Sequence, residues 1–590
     1  MFTTKIIENE CTNILYIKEL NNYMILDKNS KIQSGGQKDK MELLNIALDR
    51  SEKEFKRWSE IIDSWENMDD KKNNPSLYTL CLHPVRKCNY ECKYCYAEKS
   101  DYLPCGEITI ETAKKAIDFM LDEWGKDAKR YVVDISGSGE PLLRMSFIKE
   151  LEEYCEIKRK EKNRDIKIMF PTNGALIAEE NAEYLQDSFN ILVGVSIDGN
   201  EQQNSNRKSK NDQSAFEMTA RGIDLLKNRN VGLAATITQA NENVDEVYDF
   251  LYHRFVNADA ISLNVVRDYE KNSPTSFYNI DMDNLLYHYR LLLDRIYENI
   301  CDENYEYIKK LLIGTDTLGI YLNRVFSKGL LNKKRCGIVS CILSVDEKGN
   351  LYACSVVNGN QDFKVGDIYK GIDEERKKMF TNISNESNQY CKECWAANIC
   401  AGECLATSYL THGTINAVNS DLCNFRKELI SLAIQFVTKL EINNPTVYNN
   451  IIKIVQKRKF FEYIIDSGIW AVQEYLKCNN IDANYSEVLN SIKSTDFGTV
   501  PAEIIKALCT FSEEVDAYEI SDLHQLKEIE YPVIAFINKM KLGYYEYALI
   551  TEIARDKVYI KKAFKEETMA IPIDVFINEI SNIIICRKII

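Results

Sequence analysis

The sequence runs to 590 residues, too many for one hydrophobic core, so three or four domains are expected. Its 45% hydrophobic and 28% charged fractions are those of ordinary globular protein, and no charge-free apolar run reaches the length that spans a bilayer. A net charge of −15 argues against nucleic acid as the main partner, while nineteen cysteines in a chain whose start lacks a signal-peptide layout point to a cytoplasmic protein with metal or redox chemistry rather than disulfides.

In chain order, residues 1–74 form a first module. Asn13-Ile14-Leu15-Tyr16-Ile17 and Tyr23-Met24-Ile25-Leu26 are strand-like runs around Asn21-Asn22, which predicts a hairpin, and a helix is expected from Lys40 to Trp65. Asp69-Asp70-Lys71-Lys72-Asn73-Asn74 reads as a linker. Residues 75–308 then alternate strands and amphipathic helices. The strands are Leu77–His83, Tyr131–Ser136, Ile166–Pro171, Ile191–Ile197, Val231–Thr238 and Ala260–Val266, with helical runs such as Ile110–Trp124 and Phe216–Lys227 between them. Such alternation means a parallel sheet with crossover helices.

The first strand leads into Cys88-Asn89-Tyr90-Glu91-Cys92-Lys93-Tyr94-Cys95, three thiols within eight residues. On a helix these spacings would stack the sulfurs on one face as a buried stripe, yet the intervening residues are polar and the preceding run ends at Pro84. Structural zinc normally takes four ligands, and His83, Cys81 and Cys105 stand at no usual spacing for a fourth. Three thiolates suit an iron–sulfur cube with one iron left open. The stretch resembles the Cys-x3-Cys-x2-Cys loop of the radical S-adenosylmethionine (radical SAM) enzymes, Tyr94 standing for the aromatic before the last cysteine. The resemblance implies a partial (β/α)6 barrel and a 4Fe–4S cluster whose open iron is chelated by S-adenosylmethionine, cleaved by one electron to a 5′-deoxyadenosyl radical.

Chemistry in such barrels sits at the C-terminal ends of the strands, so the other contacts should lie there. The second strand ends in Ser136-Gly137-Ser138-Gly139-Glu140-Pro141, which resembles the family's Gly-Gly-Glu-Pro with Ser138 replacing the first glycine. The resemblance implies that Gly139, Glu140 and Pro141 meet the cofactor's amino group, Glu140 through its carboxylate. The third strand ends in Thr172-Asn173-Gly174 and the fourth in Ser196-Ile197-Asp198-Gly199, positions that in the family lie beside the ribose and the carboxylate end of the cofactor. Where relatives often carry His and then Arg, this chain has Asn204 and then Arg207-Lys208, leaving the register of the cation open by one residue.

A helical bridge is expected over 309–335. Cysteines return at Cys336, Cys341 and Cys354, the last after a hairpin turning at Asp346-Glu347-Lys348-Gly349, and again as Cys391-x2-Cys394-x5-Cys400-x3-Cys404 and Cys423. Eight thiols make two tetrathiolate sites, and spacing alone leaves zinc ribbons open. The order resembles the SPASM extension of radical SAM enzymes, over residues 336–440, which holds two auxiliary 4Fe–4S clusters. That resemblance assigns Cys336, Cys341, Cys354 and Cys404 to the first and Cys391, Cys394, Cys400 and Cys423 to the second. Among the cysteines outside these sets, Cys105, Cys155, Cys301, Cys478, Cys509 and Cys586 are read as buried structural cysteines. The five histidines, His83, His253, His288, His412 and His524, form no spacing that reads as a site.

A helix over Asn424–Leu440 ends at Asn443-Asn444-Pro445, a domain boundary. Residues 445–590 read as helices at Ile469–Leu476, Tyr485–Ile492 and Pro501–Leu508, then strands at Tyr531–Ile537, Tyr547–Ile553 and Lys557–Ile560. This layout resembles the α+β, papain-like cysteine peptidase domain that removes double-glycine leaders in bacteriocin-exporting transporters. The family's Cys, His, Asp-Pro and Gln positions fall on Ser467, Glu546 (or Tyr547), Lys562-Ala563 and Phe461. A serine without a base is not activated, so no proteolysis is expected.

The resemblances together imply a maturase of a ribosomally made peptide. It would install a thioether or carbon–carbon cross-link, with epimerisation open, as in sactipeptide or ranthipeptide biosynthesis. The auxiliary clusters would accept the electron left as the bond closes, and a flavodoxin or ferredoxin-like donor would reduce the first cluster. A leader, of double-glycine type, would bind the peptidase-like domain or the N-terminal module, which in such maturases adds the leader as an extra strand; a packing cap for the barrel is the other reading of that module. A sulfatase (formylglycine) maturase and a non-catalytic zinc protein are the alternatives.

Overall fold

The protein's structure, a computed structural model, describes residues 1–587 apart from 9–11, 29–31, 33, 67–76, 129, 163, 189, 212, 228–229, 268–279, 462–466, 482, 484–486, 489–490, 493, 496–497, 521–524, 526, 528, 538–545, 555, 563–567, 574–575 and 577–582. The expected linker at Asp69–Asn74, half of the helix expected over Tyr485–Ile492, His524 and Ala563 lie outside the described residues. Two compact units emerge, one of 1–152 with 167–455, the other of 153–166 with 456–590. Among the described residues no helix is long and apolar enough to cross a membrane.

The first unit begins with a four-stranded antiparallel sheet, β1 (Phe2–Glu8), β2 (Thr12–Ile17), β3 (Asn22–Asp27) and β4 (Gly36–Lys38), in the order β3-β2-β1-β4. The hairpin read from the sequence is β2–β3; β1 and β4 were not legible. The single helix expected over Lys40–Trp65 is two, α1 (Lys40–Leu48) and α2 (Glu52–Glu66). The cause is local: Asp39 and Glu42 form a capping box that starts α1, and Ser51 Oγ accepts from Glu54 N at 3.1 Å to start α2. Leu43, Trp58 and Ile62 of these helices pack on Phe2, Leu15, Ile17 and Met24 of one sheet face.

The next six strands match the expected ones to within two residues at either end: β5 (Leu77–Leu82), β6 (Arg130–Asp134), β7 (Asp165–Thr172), β8 (Ile191–Ser196), β9 (Val231–Ile237) and β10 (Ala258–Val265). Crossover helices α3 (Ile110–Phe119), α4 (Met145–Lys162), α5 (Glu179–Asp187), α6 (Ala215–Leu225) and α7 (Val244–Arg254) join them. They lie in sequential order, β10-β9-β8-β7-β6-β5. After α8 (Met282–Cys301), α9 (Tyr305–Ile313) and α10 (Thr317–Phe326), β11 (Ile342–Val345) adds in parallel to β5, and β12 (Asn350–Tyr352), β13 (Lys364–Asp367) and β14 (Gly371–Ile372) extend the sheet antiparallel. The expected turn at Asp346–Gly349 is present, with Asp346 Oδ1 accepting from Lys348 N and Asn350 N and Gly349 at φ +84°. The bridge is helical only to Phe326, and the helix expected over Asn424–Leu440 extends to α11 (Ser420–Asn443).

The second face of the N-terminal sheet is fastened to the bridge and to the cysteine-rich region. Tyr16 meets Trp395 edge-on at 5.9 Å, Asn21 Nδ2 donates to Leu330 O at 2.9 Å, and Lys18 Nζ donates to Lys392 O at 2.5 Å. These contacts fix the module to the bridge and the cysteine-rich region.

Helix α12 (Pro445–Phe461) follows the break at Asn444, and the second unit takes up at Gln456, eleven residues later than the start read at 445. In the second unit α13 (Ser467–Cys478) and α14 (Pro501–Thr510) pack on one face of a six-stranded antiparallel sheet. Its strands are β15 (Val515–Glu519), β16 (Val533–Ile537), β17 (Glu546–Ala554), β18 (Lys557–Lys562), β19 (Met569–Pro572) and β20 (Ile583–Arg587), ordered β15-β20-β16-β17-β18-β19. Val472, Leu476 and Leu508 bury Ile534, Leu549 and Ile585, while Val533, Ala535, Val558 and Ile584 face the opposite core with Phe576.

Candidate functional site

The parallel strands have two unlike faces. In β8 and β9, Ile191, Val193, Val195, Val231, Leu233 and Ala235 are buried, whereas Leu192, Gly194, Ser196, Gly232, Ala234 and Thr236 remain partly open. Gly194 pairs with Gly232, and a Cβ built on either meets nothing closer than 3.9 Å, so the open face has a smooth floor with room for a ligand.

The three-cysteine loop lies at the C-terminal rim of these strands. Its backbone runs antiparallel to residues 206–210: Glu91 N donates to Lys208 O at 2.7 Å, Lys93 N to Asn206 O at 3.0 Å, and Lys210 N to Asn89 O at 3.1 Å. Arg207 turns inward, buried, while Lys208 is exposed. Arg207 Nη1 donates to Tyr94 OH at 3.0 Å, and Tyr94 OH donates to Asp198 Oδ2 at 2.5 Å. Arg207 stands 3.9 Å from Asp198 Oδ1, and its Nε is buried without a partner. Burial raises the Asp198 carboxyl against the opposing pull of Arg207.

The turn after β6 is pressed against the start of the loop. Glu140 N donates to Lys87 O at 2.9 Å, and a Cβ on Gly139 would stand 2.3 Å from that same oxygen, so only glycine fits. The Glu140 carboxylate is wholly engaged inside the protein: it accepts from Leu142 N at 3.1 Å, Thr172 Oγ1 at 2.6 Å and Asn173 N at 2.8 Å. Here it ties the ends of β6 and β7 together. Asn173 Nδ2 donates to Asn89 Oδ1 at 2.8 Å and reaches Cys88 Sγ at 3.7 Å, while Tyr90 N donates to the same sulfur at 3.4 Å. Pro141 is buried and Ser196 sits half-open at the end of β8, on the ligand-facing side.

Other members of this rim were not read as site residues from the sequence. Asn204, which occupies the family's His position, accepts from Asp198 N at 3.0 Å; Asn241 Nδ2 donates to Asp198 O at 2.9 Å; and Thr236 N donates to Asp198 Oδ1 at 2.9 Å. Buried His83 accepts or donates at Nε2 with Ser344 Oγ at 3.1 Å, its Nδ1 is unpartnered, and burial pushes its pKa down to about 4.

The described cysteines are free of disulfides. Cys88 and Cys92 both stand in the field of Cys95, and burial raises their thiols, Cys92 to about 11. Cys391, Cys394, Cys400 and Cys423 line one cavity of about 340 Å³ together with Arg426 and Lys427. Cys336 and Cys354 stand in the field of Cys404, and Cys341 in that of Cys336; a Cβ on Gly337 would lie 2.1 Å from Cys341 Sγ. Burial raises Cys404, but Arg267, the bonds to Thr407 and Arg335 carry it below the usual range. No group of three or more His, Cys, Asp or Glu side chains among the described residues is gathered tightly enough for a single ion. Cube ligands stand wider apart than those of one ion, and the shared cavity, the N–H donor to Cys88 and the cations beside the thiols fit a polynuclear cluster. The leftover cysteines divide: Cys155 and Cys586 are buried as expected, but Cys105, Cys301, Cys478 and Cys509 are exposed, the last three in the terminal turns of α8, α13 and α14, where the helix end faces solvent.

Residues 82–251, from the end of β5 to within α7, match the Radical SAM superfamily. The chain belongs to the radical SAM superfamily. Residues 464–588 match the Peptidase C39 family, so this radical SAM chain carries a C39-like domain in its C-terminal part. The radical SAM cyclopropyl synthase TigE of Paramaledivibacter caminithermalis is 25% identical over 366 residues, 59% of this chain and 72% of that protein. A cysteine-type anaerobic sulfatase-maturating enzyme of Clostridium perfringens is 24% identical over 357 residues, 56% of this chain and 89% of the relative. Among solved structures, native anSMEcpe with bound AdoMet shares the fold at a TM-score of 0.52 and 21% identity, covering 64% of this chain and 100% of that one. In the C39-like domain Ser467 opens α13, Glu546 opens β17 and Lys562 closes β18, the backbone places where the sequence reading put the peptidase's Cys, His and Asp-Pro positions.

Proposed function

We propose that this radical SAM enzyme is a SPASM-type maturase that installs a thioether or carbon–carbon cross-link in a ribosomally made precursor peptide. The observation that supports it most is the fastening of the Cys88–Cys95 loop to the ends of three successive parallel strands, through Gly139–Glu140, Asn173 and the Tyr94–Asp198–Arg207 chain. On this reading Cys88, Cys92 and Cys95 hold a 4Fe–4S cluster, and Cys336, Cys341, Cys354 and Cys404 and then Cys391, Cys394, Cys400 and Cys423 hold two auxiliary clusters, in a partial (β/α)6 barrel with a SPASM extension. When bound, the first cluster with S-adenosylmethionine supplies a 5′-deoxyadenosyl radical that takes hydrogen from a substrate carbon, and the auxiliary clusters supply an electron sink.

The protein's own residues bind and orient. Arg207 offers its unpartnered Nε to the cofactor carboxylate, and Asp198, held by Thr236 N and Asn241, keeps Tyr94 and Arg207 aligned. The Glu140 carboxylate keeps Thr172 and Asn173 beside the ribose. Gly194 and Gly232 leave the floor clear for substrate. In the C39-like domain, a serine at position 467 with glutamate at the base position makes proteolysis unavailable, and the domain grips a leader of double-glycine type. Its presence favours a peptide precursor over a folded sulfatase as substrate. A low-potential electron donor, flavodoxin or ferredoxin-like, completes the partners.

Anaerobic purification followed by incubation with S-adenosylmethionine, dithionite and the precursor encoded beside this gene tests the proposal. About twelve irons per chain, from three cubes of four, and a mass loss of about two hydrogens per link are expected. Colourless, zinc-loaded protein would overturn the reading.

A further inference from the structure

The end of β2, in the N-terminal module, reaches the segment that carries Cys391, Cys394 and Cys400. Lys18, the residue after β2, is buried, and its Nζ donates to Lys392 O at 2.5 Å, directly after Cys391. Its own carbonyl accepts from the buried Asn398 Nδ2 at 2.8 Å, two residues before Cys400. Tyr16 meets Trp395, directly after Cys394, edge-on at 5.9 Å. Both module residues are fixed from behind: Lys18 N donates to Thr3 O at 3.0 Å, and Tyr16 OH donates to Asn21 Oδ1 at 2.9 Å. Burial raises the Cys394 thiol, against the opposing pull of the Ala396 N–H, Lys427 and Lys18.

We infer that the N-terminal module is a wall of the second auxiliary site, in which Lys18 is a positioning residue that shapes the Cys391–Cys400 segment and sets a cation beside its cluster. The inference rests on the cluster assignment proposed above. A cube held by four thiolates is anionic and takes on a further negative charge when reduced, so a cation fixed close by favours the reduced form. Arg426 and Lys427 add positive charge in the same cavity, and Glu403 offsets part of it. An exposed lysine would have its charge screened and its stem free. A buried one, bound at both its ammonium and its carbonyl, keeps charge and chain in one place. The bond from Lys18 to Lys392 joins residues 374 positions apart, so the second site is complete only once the module has docked.

The test is iron analysis with an electron paramagnetic resonance redox titration of the full-length chain carrying Cys88→Ala, Cys92→Ala and Cys95→Ala, so that the auxiliary clusters alone contribute. The signal that a further Cys394→Ala removes is that of the second site, and the other signal serves as the internal control. In this background Lys18→Met, which keeps the stem and removes the ammonium, should lower the potential of the second site or lose its signal together with about four irons, while the first site stays at the parent potential. Lys18→Arg, which keeps the cation, should return the second site to the parent's signal and iron content. Parent values in Lys18→Met, equal shifts of both signals, or a Lys18→Arg variant that behaves as Lys18→Met would each overturn the proposal. Fewer than about eight irons in the parent background would instead overturn the cluster assignment on which it rests, and the proposal with it.

Discussion

Two regions of this chain answer to two families, and they have kept different things. At the cluster loop the residue types and the scaffold agree: three thiols, the turn through Gly139 and Glu140, and the strand ends at Thr172 and Asp198 are joined by hydrogen bonds between side chains and backbone. In the C39-like domain the match is to the fold, and the loss of its chemistry is our proposal, resting on Ser467, Glu546 and Lys562 at the backbone places where the sequence reading puts a nucleophile, a base and its partner. Helix and sheet survive there because their cores, around Tyr475, Leu508, Leu549 and Ile585, are set by burial and not by the site.

The comparison is sharpest in its largest expected effect. Replacing Cys88, Cys92 and Cys95 together by alanine should reduce S-adenosylmethionine cleavage to background, measured as 5′-deoxyadenosine released under dithionite. Residual cleavage at the parent rate would dissolve the contrast altogether. Deleting residues from 445 onward should abolish processing of full-length precursor yet leave uncoupled cofactor cleavage intact; unchanged precursor turnover would take the leader role away from the C39-like domain.

A finer cut separates two neighbouring cations. Arg207→Gln should weaken cofactor binding by about ten- to a hundred-fold, the loss of one charge-assisted contact, while Lys208→Gln should leave it unchanged. Equal effects in isothermal titration would mean that the inward turn of Arg207 does not matter.

Acid stability probes the scaffold beneath the loop. His83 is held neutral by burial, its pKa about 4 against an ordinary 6.5, so the folded state binds fewer protons than the unfolded chain between those values. Stability is then complete above pH 6.5 and falls as pH drops toward 4, by about 2 kcal/mol at pH 5. His83→Asn should show a smaller fall in melting midpoint from pH 7 to pH 5 than the parent; an equal fall assigns the acid sensitivity elsewhere. The smallest expected effect is none: Ser467→Cys should not confer cleavage of a double-glycine leader, because Glu546 stands where the base is needed, and any cleavage would refute the loss of chemistry.

The order of elements was plain from the residues. Strands such as β8 and β9 with buried alternate positions, the turn at Asp346–Gly349 and the cysteine spacings depend on neighbours a few residues apart, which is the range over which periodicity and turn chemistry act. Strands β1, β15, β19 and β20 escaped notice because their short apolar runs resemble those of helices and loops until a partner strand is supplied.

What the sequence by itself determined was the kind of atoms available: eleven thiols in family order, an acidic turn, two polar strand ends and a C39-like frame. Tertiary structure alone decided which of them meet. Arg207 rather than Lys208 faces inward because the pairing of residues 206–210 with the cysteine loop brings it against Tyr94 and Asp198. Asn204 and Asn241 serve Asp198, and Arg426 reaches Glu403 across 23 residues, through contacts that no local pattern encodes. A hydrogen bond between distant residues leaves no periodicity in the chain; it exists only once packing has brought the two atoms together and shut out the water that would otherwise take their place.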